Sequence, residues 1–189
     1  MLDEIVYKID RWYYILGLVL LGMAYSNNFN FFTFITGAFL LAFAHAFDDR
    51  KIRGVFYLLV SLFSYFPFYT NFLICFWLFL IIYVLIVFYP FIKRTPISAF
   101  YKGYGYSLLF FLPFTSITIE AFTFYIMLGF IGTISEIFHE ATHWKNDKKE
   151  GRFTTAHWLG IRISQKTREK WKILLFSFGL ILFFILVVR

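Results

Sequence analysis

The chain has 189 residues, of which 60% are hydrophobic and 25% aromatic, and its mean hydropathy is +0.71. A globule of 22.6 kDa cannot bury so much apolar surface, so the composition excludes an ordinary soluble domain and predicts that lipid surrounds the protein. The net charge of +7 is carried by short basic segments between apolar runs, a distribution that excludes a nucleic-acid-binding surface.

Apolar runs follow one another along the whole chain. They predict an all-α integral membrane bundle of about seven transmembrane helices, forming a single domain over residues 1–189. Several runs are shorter than the roughly 20 residues that a free span needs, so tilted or partly buried helices are expected. In chain order the runs are about 12–25, 31–47, 55–69, 72–92, 106–114, 121–138 and 171–188.

Basic residues are distributed unevenly between the connections. Of the 18 Lys and Arg residues, all except Arg189 fall on one side of the predicted bundle, mainly in connections at about 48–54, 93–105 and 139–170. By the positive-inside rule, the N-terminus is predicted to be cytoplasmic and the C-terminus external. The longest connection, about 139–170, leads into a basic stretch flanked by tryptophans, as is typical of a segment at the membrane surface.

Two acidic segments follow apolar runs on the predicted cytoplasmic side. In the first, the spacing of His45, Asp48 and Asp49 puts the three side chains on one helix face. The second segment forms one stripe along a helix, if the helix extends that far. The members of this stripe are Glu136, Glu140, His143 and Asp147.

Carboxylates at the polar boundary of a membrane are costly unless they are paired, hydrated or bound to a cation. Hard oxygen ligands from two helices, with open positions for phosphate oxygens, are typical of a Mg²⁺ site that binds a diphosphate. The charge pattern alone leaves an alternative open, in which Asp48, Asp49 and Asp147 are solvated residues that offset neighbouring Lys and Arg.

Two further stretches resemble the UbiA superfamily of intramembrane prenyltransferases. Residues 89–107, YPFIKRTPISAFYKGYGYS, look like the segment after the fourth helix of that family. Residues 147–160, DKKEGRFTTAHWLG, are similar to its second motif, an Asp-rich helix end followed at these intervals by Gly151, Thr155 and Gly160. With the first acidic segment, the resemblance covers roughly residues 30–160.

The resemblance implies transfer of an isoprenyl group from a polyprenyl diphosphate to an aromatic or lipid-precursor acceptor, dependent on Mg²⁺ and taking place among membrane lipids. It implies a metal set of Asp48, Asp49, Glu136, Glu140, His143 and Asp147. Asp49, Glu140, Asp147, Lys93 and Arg94 are the implied catalytic groups, and His45, Lys93, Arg94, Lys148 and Arg152 the implied substrate-binding groups.

The chain departs from the family in its first motif. His45, Ala46 and Arg53 stand where the family usually has Asn, Asp and Asp, and the chain has about two helices fewer. These departures leave open a second class of function, in which the protein is a non-catalytic scaffold or a lipid-binding relative.

A third class follows from a literal HExxH pattern formed by His139, Glu140 and His143. In zinc metalloproteases two His residues on one helix face bind Zn²⁺ and the Glu activates water. A third ligand would come from His157, Glu136 or Asp147. The shortness of this pattern, compared with the spaced match over 147–160, favours the prenyltransferase interpretation.

Overall fold

A computed structural model describes residues 16–48, 53–65 and 72–188, and within these ranges its regular structure is entirely helical. The predicted all-α fold is therefore confirmed. The helices are α1 (Leu16–Ser26), α2 (Phe31–Asp48), α3 (Arg53–Tyr65), α4 (Phe72–Ile92), α5 (Ser98–Ser107), α6 (Ile119–Lys149), α7 (Thr155–Trp158) and α8 (Gln165–Val188). A 3₁₀ turn, Leu108–Phe111, follows α5.

Two helices in the described ranges, α6 with 31 residues and α8 with 24, are long and apolar enough to cross a membrane. Shorter apolar helices occur at Leu16–Ser26, Phe31–Ala44, Gly54–Ser64 and Phe76–Ile92. Length and composition thus support a membrane protein, while a bundle of about seven spans stays a prediction.

The fifth predicted run, 106–114, does not form a continuous helix. Helix α5 ends at Ser107, the 3₁₀ turn follows, and the chain is non-helical from Leu112 until α6 begins. Pro113 has no N–H to donate, which favours a break at this point. Apolar composition alone could not distinguish this buried turn from a short span, because both are rich in Leu and Phe.

The chain divides into two compact units. Unit 1 contains α1 to α3, the first part of α4, residues 108–117 and the end of α8. Unit 2 contains residues 82–107 and 118–178, and therefore α5, α6, α7 and most of α8.

Unit 1 is built by close approach of α1 to the 3₁₀ turn and by packing of α2 against α3. A Cβ on Gly22 would lie 2.1 Å from the carbonyl oxygen of Phe110, so only glycine permits this approach. Across α2 and α3, the hydroxyls of Thr36 and Ser64 are hydrogen-bonded at 2.8 Å.

In unit 2, α5 packs against α6 in an antiparallel direction. Gly103 lies against the backbone of Thr133, and the side chain of Tyr104 lies against Gly129. The Tyr101 hydroxyl donates to the Leu85 carbonyl at 2.8 Å, which ties α5 to α4. Burial raises the pKa of the Tyr101 hydroxyl, so the group stays protonated as a donor.

Candidate functional site

Helix α6 continues beyond its apolar part, as the predicted acidic stripe requires. The helix runs without a break from Ile119 to Lys149 and includes all four members of the stripe. At about 1.5 Å per residue, 31 residues extend over roughly 46 Å, more than the roughly 30 Å hydrocarbon core of a bilayer. The polar end of α6 therefore has enough length to extend past an apolar layer that its first part crosses.

Glu140 lies at the centre of a buried polar network and is 5% exposed. The Ser98 hydroxyl donates to Oε1 at 2.5 Å, and the backbone N–H of Ala156 donates to Oε2 at 3.1 Å. Both carboxyl oxygens thus have a partner inside the protein. Because a buried carboxyl group without partners is costly, these bonds fix Glu140 where α5, α6 and α7 meet.

The first residues of α5 and α7 cap each other. The Thr155 hydroxyl accepts from the N–H of Ala99 at 3.0 Å, and the Ser98 hydroxyl accepts from the N–H of Thr155 at 3.3 Å. The start of a helix leaves N–H groups without intrahelical partners, so this exchange satisfies donors of both helices. Thr155, a residue of the family-like motif, therefore has a defined structural task.

One helical turn away from Glu140, α5 and α6 are joined by an ion pair. Nζ of Lys102 lies 3.1 Å from Oε2 of Glu136 and 5.0 Å from the centroid of the Tyr89 ring. Lys102 is 9% exposed. A buried charge persists only with a compensating partner, and the ring face adds a cation–π attraction.

The two glycines of the family-like motif end helices. Gly151 has φ +66°, and the N–H groups of Gly151 and Arg152 donate to the carbonyls of Lys148 and Asp147. Gly160 has φ +67°, and the N–H groups of residues 160 and 161 close the end of α7 in the same way. Both are Schellman caps, whose left-handed residue is normally glycine because a Cβ is strained there.

Asp147 is buried at the last turn of α6, where Nη1 of Arg152 lies 3.6 Å from its Oδ1. Nη2 of the same arginine lies 2.5 Å from Oε2 of Glu150. The helix cap places Arg152 directly beside the carboxylate, since the chain reverses at Gly151. The pair is an acidic and a basic group, both predicted from the sequence, brought together at one end of α6.

His157 is held by both of its ring nitrogens. Nε2 donates to the Trp144 carbonyl at 3.2 Å, and Nδ1 is 2.9 Å from the Thr154 hydroxyl. The imidazole also stacks on the Trp144 ring with centroids 4.0 Å apart, and the Arg162 guanidinium lies 4.7 Å from the centroid of that ring. This residue therefore locks the loop after α6 onto the helix, and it is a poor source of a third zinc ligand.

The HExxH pattern brings its two imidazoles together but not its glutamate. The ring centroids of His139 and His143 are 4.8 Å apart on α6. The carboxyl group of Glu140, however, is held by Ser98 and Ala156, whereas a metalloprotease glutamate must activate water. This geometry counts against the zinc interpretation.

The predicted metal set is divided in the structure. Glu136, Glu140 and Asp147 each contact a different partner, and among residues 16–48, 53–65 and 72–188 no three His, Cys, Asp or Glu side chains form a group that could hold one metal ion. Asp49 and the side chains of His45 and Asp48 lie outside the described residues. Metal binding by these carboxylates stays a prediction.

The predicted phosphate-binding side chains lie on two connections of unit 2 and at the end of α6. Lys93 and Arg94 occupy the turn between α4 and α5, and Arg94 is exposed. Lys148 is exposed near the end of α6. Their approach to a common ligand stays a prediction.

Sequence reasoning missed Ser98 and Lys102 as partners of the acidic stripe. A signal was present, because the two residues are four apart on α5, as Glu136 and Glu140 are on α6. Two helices that run antiparallel bring such pairs opposite each other, so matched spacings of polar residues in apolar helices could have identified the contact.

Comparison of the chain with protein-family models, with curated proteins and with solved structures gave no match.

Proposed function

We propose that the protein is an integral membrane prenyltransferase that transfers an isoprenyl group from a polyprenyl diphosphate to an aromatic or lipid-precursor acceptor. The proposed orientation has the N-terminus in the cytoplasm, the C-terminus outside, and the diphosphate site at the cytoplasmic end of α6. The proposal rests on the resemblance over 89–107 and 147–160 and on the geometry of the second stretch.

One observation carries the proposal. The three spaced residues of the family-like motif each have a defined structural role. Gly151 and Gly160 adopt left-handed conformations that favour glycine, and the Thr155 hydroxyl accepts from the N–H of Ala99. The matched positions therefore close α6 and α7 and join α7 to α5. After the acidic end of α6, the chain turns at Gly151 and contacts α5 through Thr155. A site formed by α5, α6 and α7 requires this path.

The basic pair supports diphosphate binding. Lys93 and Arg94 precede Ser98 by only five and four residues, and Ser98 is bonded to Glu140. A chain of that length extends at most about 18 Å, so both basic residues are tethered near the acidic end of α6. Arginine and lysine are the usual partners of phosphate oxygens, because each supplies charged donors.

The described residues do not by themselves fit a magnesium site, since no group of three suitable side chains is assembled among them. The acidic groups that would complete one, Asp48 and Asp49, fall outside the described side chains. Dependence on Mg²⁺ therefore rests on the resemblance alone and is the first property to test. Glu140, with both oxygens bonded internally, supports the site as a positioning residue.

The test is ligand-induced stabilisation of the purified protein in detergent. An unreactive allylic diphosphate analogue with Mg²⁺ is expected to raise the Tm, since a ligand at 100 times its Kd adds about 2.7 kcal/mol to the free energy of unfolding. The double variant Lys93→Gln/Arg94→Gln is expected to weaken binding at least tenfold, because a hydrogen bond to a charged group contributes about 1.5–3 kcal/mol. The matched control, Lys166→Gln/Lys170→Gln, removes the same charge from α8.

One observation favours a second candidate, a non-catalytic scaffold or lipid-binding protein. The buried charged groups of α5 and α6, Lys102, Glu136 and Glu140, are compensated by one another or by local donors, as in a site with only a structural task. A well-folded sample that shows no stabilisation with the analogue, with or without Mg²⁺, would favour this candidate. Stabilisation by Zn²⁺ alone, lost in His143→Ala, would instead favour the metalloprotease.

A further inference from the structure

Helices α6 and α8 contact each other where the apolar part of each meets its polar part. The rings of Phe138 and Trp171 have centroids 5.0 Å apart in an edge-to-face arrangement. Helix α6 is predominantly apolar before Phe138, and α8 is apolar from Ile173 to its end. Tryptophan is enriched at membrane–water interfaces, so Trp171 at this junction is where it is expected if both helices leave an apolar layer here.

A second contact aligns the polar ends of the same two helices. The Arg162 guanidinium lies over the Trp144 ring and holds the segment before α8 beside α6. Lys145 follows Phe138 in the chain and lies about 10 Å from it along the axis of α6, at 1.5 Å per residue. Lys166 precedes Trp171 and lies about 7.5 Å from it along the axis of α8. The polar ends of α6 and α8 are therefore on the same side of the Phe138–Trp171 contact.

This side is strongly basic. Residues 145–172 contain nine Lys and Arg but only three acids, Asp147, Glu150 and Glu169. Those acids pair with Arg152 and Lys172. The exposed basic residues that remain, here termed the basic collar, are Lys145, Lys148, Lys149, Arg162, Lys166 and Lys170.

Large apolar side chains are exposed within the same basic segment. Trp158 is 63% exposed, Phe153 52% and Leu159 45%, all in the connection between α6 and α8. Aromatic and aliphatic side chains beside Lys and Arg are typical of segments that insert shallowly between lipid headgroups. Three such side chains in one short connection favour a lipid-facing surface over a purely aqueous one.

We propose that the basic collar, together with Phe153, Trp158 and Leu159, binds the anionic phospholipid headgroups of the leaflet around this end of α6 and α8. Each exposed Lys or Arg at such a surface is attracted to anionic lipid by about 1 kcal/mol, or roughly fivefold in affinity, at low salt. The collar does not include Lys93 or Arg94 and shares only Lys148 with the proposed diphosphate site. Lipid binding by the collar therefore requires insertion in a membrane but not prenyl transfer.

The experiment measures quenching of Trp158 in protein reconstituted into vesicles of brominated lipids, as the difference between the wild type and Trp158→Phe. At equal mole fraction, brominated phosphatidylglycerol is expected to quench Trp158 fluorescence more than brominated phosphatidylcholine does. The expected ratio of apparent affinities is about fivefold or more. Salt near 0.5 M is expected to reduce that preference, because it screens exposed charges.

Lys149→Gln/Lys166→Gln/Lys170→Gln, which leaves the Arg162–Trp144 contact intact, is expected to reduce the ratio of quenching by the two lipids towards one. The control, Arg50→Gln/Lys51→Gln/Arg53→Gln, removes the same charge from another basic segment and is expected to keep the preference. Equal quenching by both lipids in the wild type overturns anionic lipid recognition and leaves an acidic protein as the partner of the collar. Absence of quenching by either lipid overturns the membrane contact itself, whatever the outcome for diphosphate binding.

Discussion

The two compact units bury different kinds of group at their helix contacts. Among the described residues of unit 1, the contacts join neutral groups, as where Gly22 meets Phe110 and Thr36 meets Ser64. In unit 2, α5 and α6 also meet at a glycine, but their interface buries Glu140 and Lys102. Well-packed apolar groups stabilise a fold at least as well as buried charges do. The buried charges therefore make unit 2 the region in which we expect the proposed site.

The largest effect is expected at the charged interface. Glu140→Ala removes the partner of the Ser98 hydroxyl and of the Ala156 N–H, and it leaves a cavity between helices. The free energy of unfolding, measured by titration with SDS in mixed micelles, is expected to fall by about 3–5 kcal/mol, the usual cost of breaking a buried polar network.

Glu140→Gln is the control for shape and hydrogen bonding. Its amide oxygen still accepts from Ala156, and its NH₂ group can donate to Ser98, so the loss is expected to be about 1–2 kcal/mol. Equal losses for the two variants would mean that packing, and not the polar network, fixes this interface.

A smaller effect, shared by both units, is expected where helix backbones approach most closely. Gly22→Ala in unit 1 and Gly103→Ala in unit 2 place a Cβ 2.1 and 2.3 Å from backbone atoms. Each is expected to cost about 2–3 kcal/mol, because the backbone must move. The controls Gly17→Ala and Gly105→Ala meet no atom nearer than 3.7 Å. They are expected to stabilise their helices by about 0.5–1 kcal/mol.

The next prediction tests the backbone conformation of Gly151 in the family-like motif, without any change in side-chain contacts. Gly151→Ala meets no neighbouring atom within 4 Å, so its cost comes only from the left-handed conformation, about 1–2 kcal/mol. Gly151→Asn is expected to cost less, because asparagine visits this region more readily. A neutral Gly151→Ala would remove the structural reason for this glycine and weaken the argument from the motif.

The sequence predicted an all-α chain and an acidic stripe on one helix, and both are present. Helix periodicity over 136–147 was sufficient for the stripe, because i, i+4 spacing fixes a shared face regardless of what that face meets. The sequence could not predict what the stripe contacts. Glu136 meets Lys102 and Glu140 meets Ser98 through the antiparallel packing of α5 on α6, which is a tertiary feature.

The connection predicted at about 93–105 is a second case in which tertiary contacts could not be predicted from the sequence. Its basic residues indicated a polar loop, yet Ser98 to Ser107 form a helix whose face with Lys102 and Gly103 is buried. A lysine in such a segment is indistinguishable from a solvated one by composition, because its burial depends on an acidic partner from a distant part of the chain. The run 106–114 does not form the predicted continuous helix, and the reason is related. A buried turn and a membrane span have the same apolar composition.

The smallest effect is expected at the hydroxyl pair of unit 1. Thr36→Val keeps the shape of the side chain and removes its bonds to Ser64 and to the Phe32 carbonyl. Ser64 retains its bond to the Ser61 carbonyl, so no buried hydroxyl is left unsatisfied, and the loss is expected to be about 0.5–1 kcal/mol. A double-mutant cycle with Ser64→Ala measures the coupling energy. A coupling as large as the loss from Glu140→Ala would show that neutral pairs hold unit 1 as firmly as the buried charges hold unit 2, and the contrast between the units would no longer point to function.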